Sequence, residues 1–141
     1  MTIKIEKRDL FTVPQGYYLA HCISADLKLG AGIAKQFDEV FNMKYKLFAE
    51  YGYYTYHGGD ALPIDNVFNL VTKEKYYQKP TYKSLTEALE EMSRLMKMFH
   101  ITKLAMPKIG CGLDKLDWNN VLNIITDIFG ESDVEILVCE L

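Results

Sequence analysis

Two stretches of this sequence limit the fold more than any other feature: GYYLAHCI at 16–23 is a nearly continuous apolar run, and NVFNLVTK at 66–73 reads as another buried strand. A strand with one wet face alternates apolar and polar residues. A strand apolar throughout needs cover on both faces, as in the middle of a mostly parallel sheet. The intervening segments supply that cover. AGIAKQFDEVF places Ile33, Phe37, Val40 and Phe41 at helical spacing, and KYKLFAEY reads as a second short helix. SLTEALEEMSRLMKMFH sets Leu85, Ala88, Leu89, Met92, Leu95, Met96 and Phe99 on one helical face. Ser84 followed by Glu87 fits a capping box, and Thr81 offers a cap one turn earlier. TIKIEK, ITKLAMP and VEILVCEL read as three more strands. Asp117 caps a last helix whose inner face is Trp118, Val121, Leu122, Ile125, Ile128 and Phe129, and Gly130 ends it. The order strand, strand, helices, strand, helix, strand, helix, strand predicts an α/β fold with helices on both faces of the sheet.

The 141 residues fit one domain spanning 1–141. A net charge of −3 argues against a whole-surface nucleic-acid binder and leaves room for a local basic patch. Cys22, Cys111 and Cys139 form no CxxC pair, which suggests neither a zinc site nor a disulfide framework; free thiols fit a reducing, cytoplasmic or nuclear setting. The N-terminus lacks a signal-like apolar run, and no run of about 18 apolar residues predicts a membrane span. Without an obvious exposed seam, a monomer is expected.

In such sheets ligands bind beyond the carboxyl ends of the strands. Three informative stretches fall there: HCISADLKLGAGIA, TKEKYYQKPTY and PKIGCGLDKLDW. Gly30 and Gly32 bracket Ala31 just before a helix, where unpaired backbone amides and the helix dipole favour an anion. A tight turn with no ligand explains the same residues about equally well. Gly110 and Gly112 repeat the device around Cys111, and two such loops suit a diphosphate. This is neither a Walker loop nor a dinucleotide GxGxxG. Cys111 has no histidine partner in sequence and reads as a small buried thiol rather than a nucleophile. Among Lys73, Lys75, Lys79 and Lys83, interleaved with Tyr76, Tyr77 and Tyr82, most read as a solvated basic loop. Lys79 stands apart, because Pro80 holds it extended before a helix. Beside a water-poor pocket such a lysine can attack a carbonyl-like carbon, with Asp114 moving the protons.

These residues, in this order and spacing, resemble a macrodomain, and more closely the terminal ADP-ribose protein glycohydrolase subfamily. The resemblance runs from RDLFTVPQGYYLAHCISADLKLGAGIA through KPTY to MPKIGCGLDKLDW and the last strand. It implies a three-layer α/β/α fold with a mixed, mostly parallel central sheet of about six strands. It implies a hydrolase of ADP-ribosyl esters, mono-ADP-ribosyl glutamate and O-acyl-ADP-ribose, with Lys79 as nucleophile forming a Schiff-base-type intermediate and Asp114 as base. By the same resemblance Asp9 and Leu10 lie near the adenine. Segment 22–33, with Ser24, Gly30, Ala31, Gly32 and Ile33, wraps the distal ribose and diphosphate, and Gly110, Cys111, Gly112 and Leu113 meet the phosphates. Neither metal nor bound cofactor is implied.

Arg8 stands where the family carries a glycine before Asp9. HCISAD lacks the asparagine that another class of macrodomain hydrolases carries in an NAAN-like stretch. MKYKLFAEYGYYTYHGGDAL is the least matched region and reads as variable scaffold with turns at Gly52 and HGGD. A non-catalytic ADP-ribose reader is the main competing expectation, since fold does not fix function. Removal of ADP-ribose from thymidine in DNA is a further alternative, favoured by the basic aromatic loop and disfavoured by the net charge. Trp118 reads as core rather than an adenine platform, His21 as a hydrogen-bonded structural histidine, and Asp117 as a cap.

Overall fold

The computed structural model describes residues 1–53 and 55–141. Tyr54, inside the stretch read as variable scaffold, lies outside the described residues. Six strands form one sheet: β1 (Thr2–Lys7), β2 (Tyr18–Ser24), β3 (Ala61–Ile64), β4 (Val67–Lys73), β5 (Lys103–Met106) and β6 (Glu135–Glu140), in the spatial order β1-β6-β5-β2-β4-β3. Every neighbouring pair is parallel except β3 on β4. Helices α1 (Gly32–Phe41) and α2 (Met43–Tyr51) cover one face, α3 (Tyr82–Met98) and α4 (Trp118–Phe129) the other.

Strand alternation sorts the core into two halves. Along β2, β5 and β6, Ala20, Leu104, Met106, Ile136 and Val138 face α3 and α4. Leu19, Ile23, Ala105 and Leu137 join Phe37, Met43 and Leu47 beneath α1 and α2. GYYLAHCI and NVFNLVTK thus supply central strands covered on both sides.

Three details differ from the sequence expectation. β3 is a strand that the residue pattern does not mark; it completes the mixed six-stranded sheet implied by the resemblance and starts in the last two residues of the stretch read as scaffold. It is an edge strand, where Pro63 is tolerated opposite Phe68. Helix α3 begins at Tyr82 because Thr81 caps it, in a capping box with Ser84 rather than one from Ser84 to Glu87. At its far end Phe99 has left the helical face and is 63% exposed, while Ser93 takes a buried place. Val40 likewise faces solvent; Phe37 is the residue α1 buries completely.

His21 lies fully buried in the middle of β2. Its ring stacks on Phe37 with centroids 3.8 Å apart, and Nε2 pairs with Asn69 Oδ1 at 2.5 Å. Burial disfavours the imidazolium more than the Asn69 contact favours it, so its pKa falls from 6.5 to about 4. The unfolded chain therefore takes the proton first, and stability falls as pH drops from 6.5 towards 4. Urea unfolding is expected to lose about 2 kcal/mol between pH 7.5 and pH 5 in the wild type. His21→Gln should flatten that slope, because carboxylates titrate mostly below this window.

Candidate active site

The carboxyl ends of β2, β4 and β5 share one edge of the sheet, and the connections leaving them enclose a cleft of about 930 Å³. Its place follows from the topology. β2 sits between β4 and β5; the crossover leaving β2 passes through α1 and α2 over one face and the one leaving β4 through α3 over the other, and such switch points leave a crevice. The volume suits a ligand larger than a simple anion.

One wall is the 24–32 connection and the start of α1. Leu27 and Leu29 adopt left-handed φ values of 57° and 45°, which leucine rarely does. Both side chains are buried in the core beneath α1, and that anchoring holds the loop in shape. Asp26 ties it down further. Asp26 Oδ1 accepts from Ser24 Oγ at 2.5 Å and from the Lys28 amide at 3.3 Å, and Oδ2 from the Tyr76 amide at 2.9 Å. Burial alone would raise the Asp26 carboxyl, but these hydrogen bonds outweigh it and the net effect lowers its pKa. Thr81 and Asp117 cap α3 and α4 with their side chains; Ala31 gives α1 no such cap. The first amides of α1, at Gly32, Ile33 and Ala34, therefore remain open where those residues line the cleft.

The second glycine loop meets the first. Gly32 has φ +59°, and a Cβ there would lie 3.2 Å from Leu113 Cδ1. Gly110 has φ +73°, and a Cβ there would approach Leu116 Cδ1 to 2.9 Å, so this turn needs glycine. The two glycine loops that the sequence suggests for one diphosphate thus lie side by side.

Lys79 and Asp114 both line the cleft. Lys79 is exposed on the rim rather than enclosed in a water-poor pocket, and its Nζ donates to Leu113 O at 3.3 Å. The lysine on Asp114 is Lys73, whose Nζ donates to Oδ1 at 2.8 Å, with both side chains largely covered. Reading Lys73 as part of a solvated basic loop was therefore incorrect. Its position as the last residue of a buried strand was the available signal. Cys22 forms part of the floor; burial first, and then the charge of Asp114, push its thiol up to about 12, so it stays protonated.

Ser24, Gly30, Ala31, Gly32, Ile33, Gly110, Gly112 and Leu113 also line the cleft. Asp9, Leu10 and Cys111 do not appear in its lining. Asp9 caps a single 3-10 turn through the Phe11 amide, and Leu10 is buried in the core. Arg8 braces the same turn by donating to Glu6 and to Thr12 O. Cys111 packs against the core beside α4, and burial raises its thiol pKa. Trp118 packs there too, with Lys108 Nζ 5.7 Å from its ring centre. Among the described residues no cluster of three or more His, Cys, Asp or Glu is placed to hold a metal ion.

A Macro domain family model matches residues 20–125. ADP-ribose glycohydrolase OARD1 of Homo sapiens is 38% identical over 136 residues, which is 94% of this chain and 87% of that protein. The solved macrodomain of Mycobacterium tuberculosis DarG superposes with a TM-score of 0.85 at 22% identity, covering 99% of this chain and 98% of that one. Thermosipho africanus DarTG, solved in complex with ADP-ribose, superposes with a TM-score of 0.82 at 17% identity over 98% of this chain and 41% of that one. The chain belongs to the Macro domain family.

Proposed function

We propose that this protein binds ADP-ribose in the cleft at the carboxyl edge of its sheet and hydrolyses ADP-ribosyl esters, with Lys79 as nucleophile and Asp114 as base. The convergence of Lys79 and Asp114 on one cleft, beside an uncapped helix N-terminus, carries the reading. The likeness to a protein named ADP-ribose glycohydrolase supports it. The diphosphate lies against the open amides of α1 and the Gly110–Gly112 turn. Lys79 Nζ attacks the anomeric carbon of the distal ribose. The C–N bond forms as the C–O bond to the glutamyl carboxylate breaks, and Asp114 takes the proton from nitrogen. The glycosylamine opens to a Schiff base as Asp114 passes that proton to the ring oxygen. Water then adds at the same carbon with Asp114, again a carboxylate, as base; Asp114 hands the proton to the nitrogen, the C–N bond breaks, and ADP-ribose leaves with the Lys79 amine restored.

A second reading places the ADP-ribose on nucleic acid. The cleft lining contains Lys28, Lys44, Lys73, Lys79 and Lys108 with a single acid, Asp114, although the chain's net charge is −3. Tyr76 and Tyr77 form an exposed edge-to-face pair on the same rim, with centroids 5.4 Å apart. Such a surface suits a stacked single strand.

One experiment separates these readings: ADP-ribose release from a glutamate-modified protein and from a thymidine-modified oligonucleotide, at low and high salt. Release from the protein with shallow salt dependence is expected. Preference for the oligonucleotide with steep salt dependence would favour the second reading. Calorimetric ADP-ribose binding without any release would leave a reader.

A further inference from the structure

We infer that Lys73 is a positioning residue that fixes the carboxylate of Asp114 for the reaction; the inference rests on reading Asp114 as the base of the site. Asp114 lies in the irregular connection between β5 and α4, where its backbone is set by turns rather than by sheet or helix. Among the described residues Lys73 is the one partner of its carboxylate, at 2.8 Å. The two side chains are only 15% and 18% exposed, so solvent screens the pair less than a surface ion pair.

Lys73 is as firmly placed as Asp114 is not. It ends β4, which pairs with β2 on one side and β3 on the other, and its carbonyl accepts the Ala25 amide at 2.9 Å. The β2–β4 register shifts at this point, from Ile23 opposite Val71 to Ser24 opposite Lys73, leaving Thr72 as an extra residue. A bulge of this kind re-aims the side chain that follows it, and here that side chain crosses the cleft floor to the Asp114 loop. Lys79 differs: it is exposed and bonded to a backbone carbonyl. One lysine is committed to the carboxylate and the other is available to substrate. The neutral thiol of Cys22 beside them does not compete for Lys73.

The test is steady-state hydrolysis of O-acetyl-ADP-ribose by wild type, Lys73→Met and Lys73→Arg, with calorimetric ADP-ribose binding to each. Lys73→Met is expected to lower kcat by roughly 30–100-fold while KM and ADP-ribose Kd change less than about threefold. Lys73→Arg, which keeps the charge and a donor, should recover most of kcat. Lys73→Gln reads the same split should the Met variant not fold. A kcat within about twofold of wild type, or a loss of ADP-ribose affinity matching the loss of turnover, overturns the inference. A wild type that binds ADP-ribose without hydrolysing the ester overturns the reading of the site and this inference with it, and is seen before any variant is compared.

Discussion

Asp114→Asn is expected to lower turnover of an ADP-ribosyl ester by roughly 10²–10⁴-fold while leaving ADP-ribose affinity within about threefold of wild type. The amide is nearly isosteric and its oxygen can still accept from Lys73, so the loop keeps its anchor. What it loses is the ability to take a proton, first from Lys79 nitrogen and then from water. The diphosphate contacts proposed at α1 and Gly110–Gly112 are untouched, which is why binding and turnover should separate. Calorimetry beside a release assay reads both. Parallel loss of affinity and turnover would place Asp114 among the binding groups instead.

Phe37→Ala should cost about 3–5 kcal/mol in urea unfolding, a large share of the roughly 5–15 kcal/mol that holds a domain of this size together. Phe37 is fully buried and stands at the centre of an aromatic group. It stacks on His21 at 3.8 Å, meets Phe11 edge-on at 5.0 Å and lies 5.7 Å from Phe41. Truncation opens a cavity and strips the cover from a buried imidazole whose Nδ1 has no hydrogen-bond partner among the described residues. Phe37 also seats α1 on the sheet, and α1 presents its first amides to the cleft. ADP-ribose affinity should therefore fall together with stability. A loss below about 1 kcal/mol would mean that the neighbouring side chains collapse into the space.

The central strands were legible because burial on both faces leaves few polar residues in them, and His21 and Asn69, the fully buried ones, pair with each other. Helix α4 runs between the Asp117 and Gly130 caps that the sequence marks, and α3 starts after Thr81, the earlier of the two caps it offers. β3 was not legible: four residues, one of them proline, show no period, and only pairing with β4 defines them. The Asp65-Asn66 link, with Asp65 at φ 50°, was the available hairpin signal. The sequence puts the glycine loops and Asp114 in the cleft because the strand–loop–helix order alone sets them at the carboxyl ends of the strands. Lys73 was marked only by ending a buried strand; its pairing with Asp114 was not legible, since it depends on a contact 41 positions away and on a bulge set by strand register. Asp9 and Leu10 came from resemblance alone, and the structure gives them a cap and a core position.

The proposal centres on a bond between Lys79 and the distal ribose. The most direct test adds cyanoborohydride during turnover of a glutamate-modified protein and locates any adduct by peptide mass spectrometry. One ADP-ribose reduced onto Lys79 is expected, absent from Lys79→Ala, which also fails to release the sugar. An adduct on Lys73 or another lysine, or release at the wild-type rate by Lys79→Ala, would contradict it.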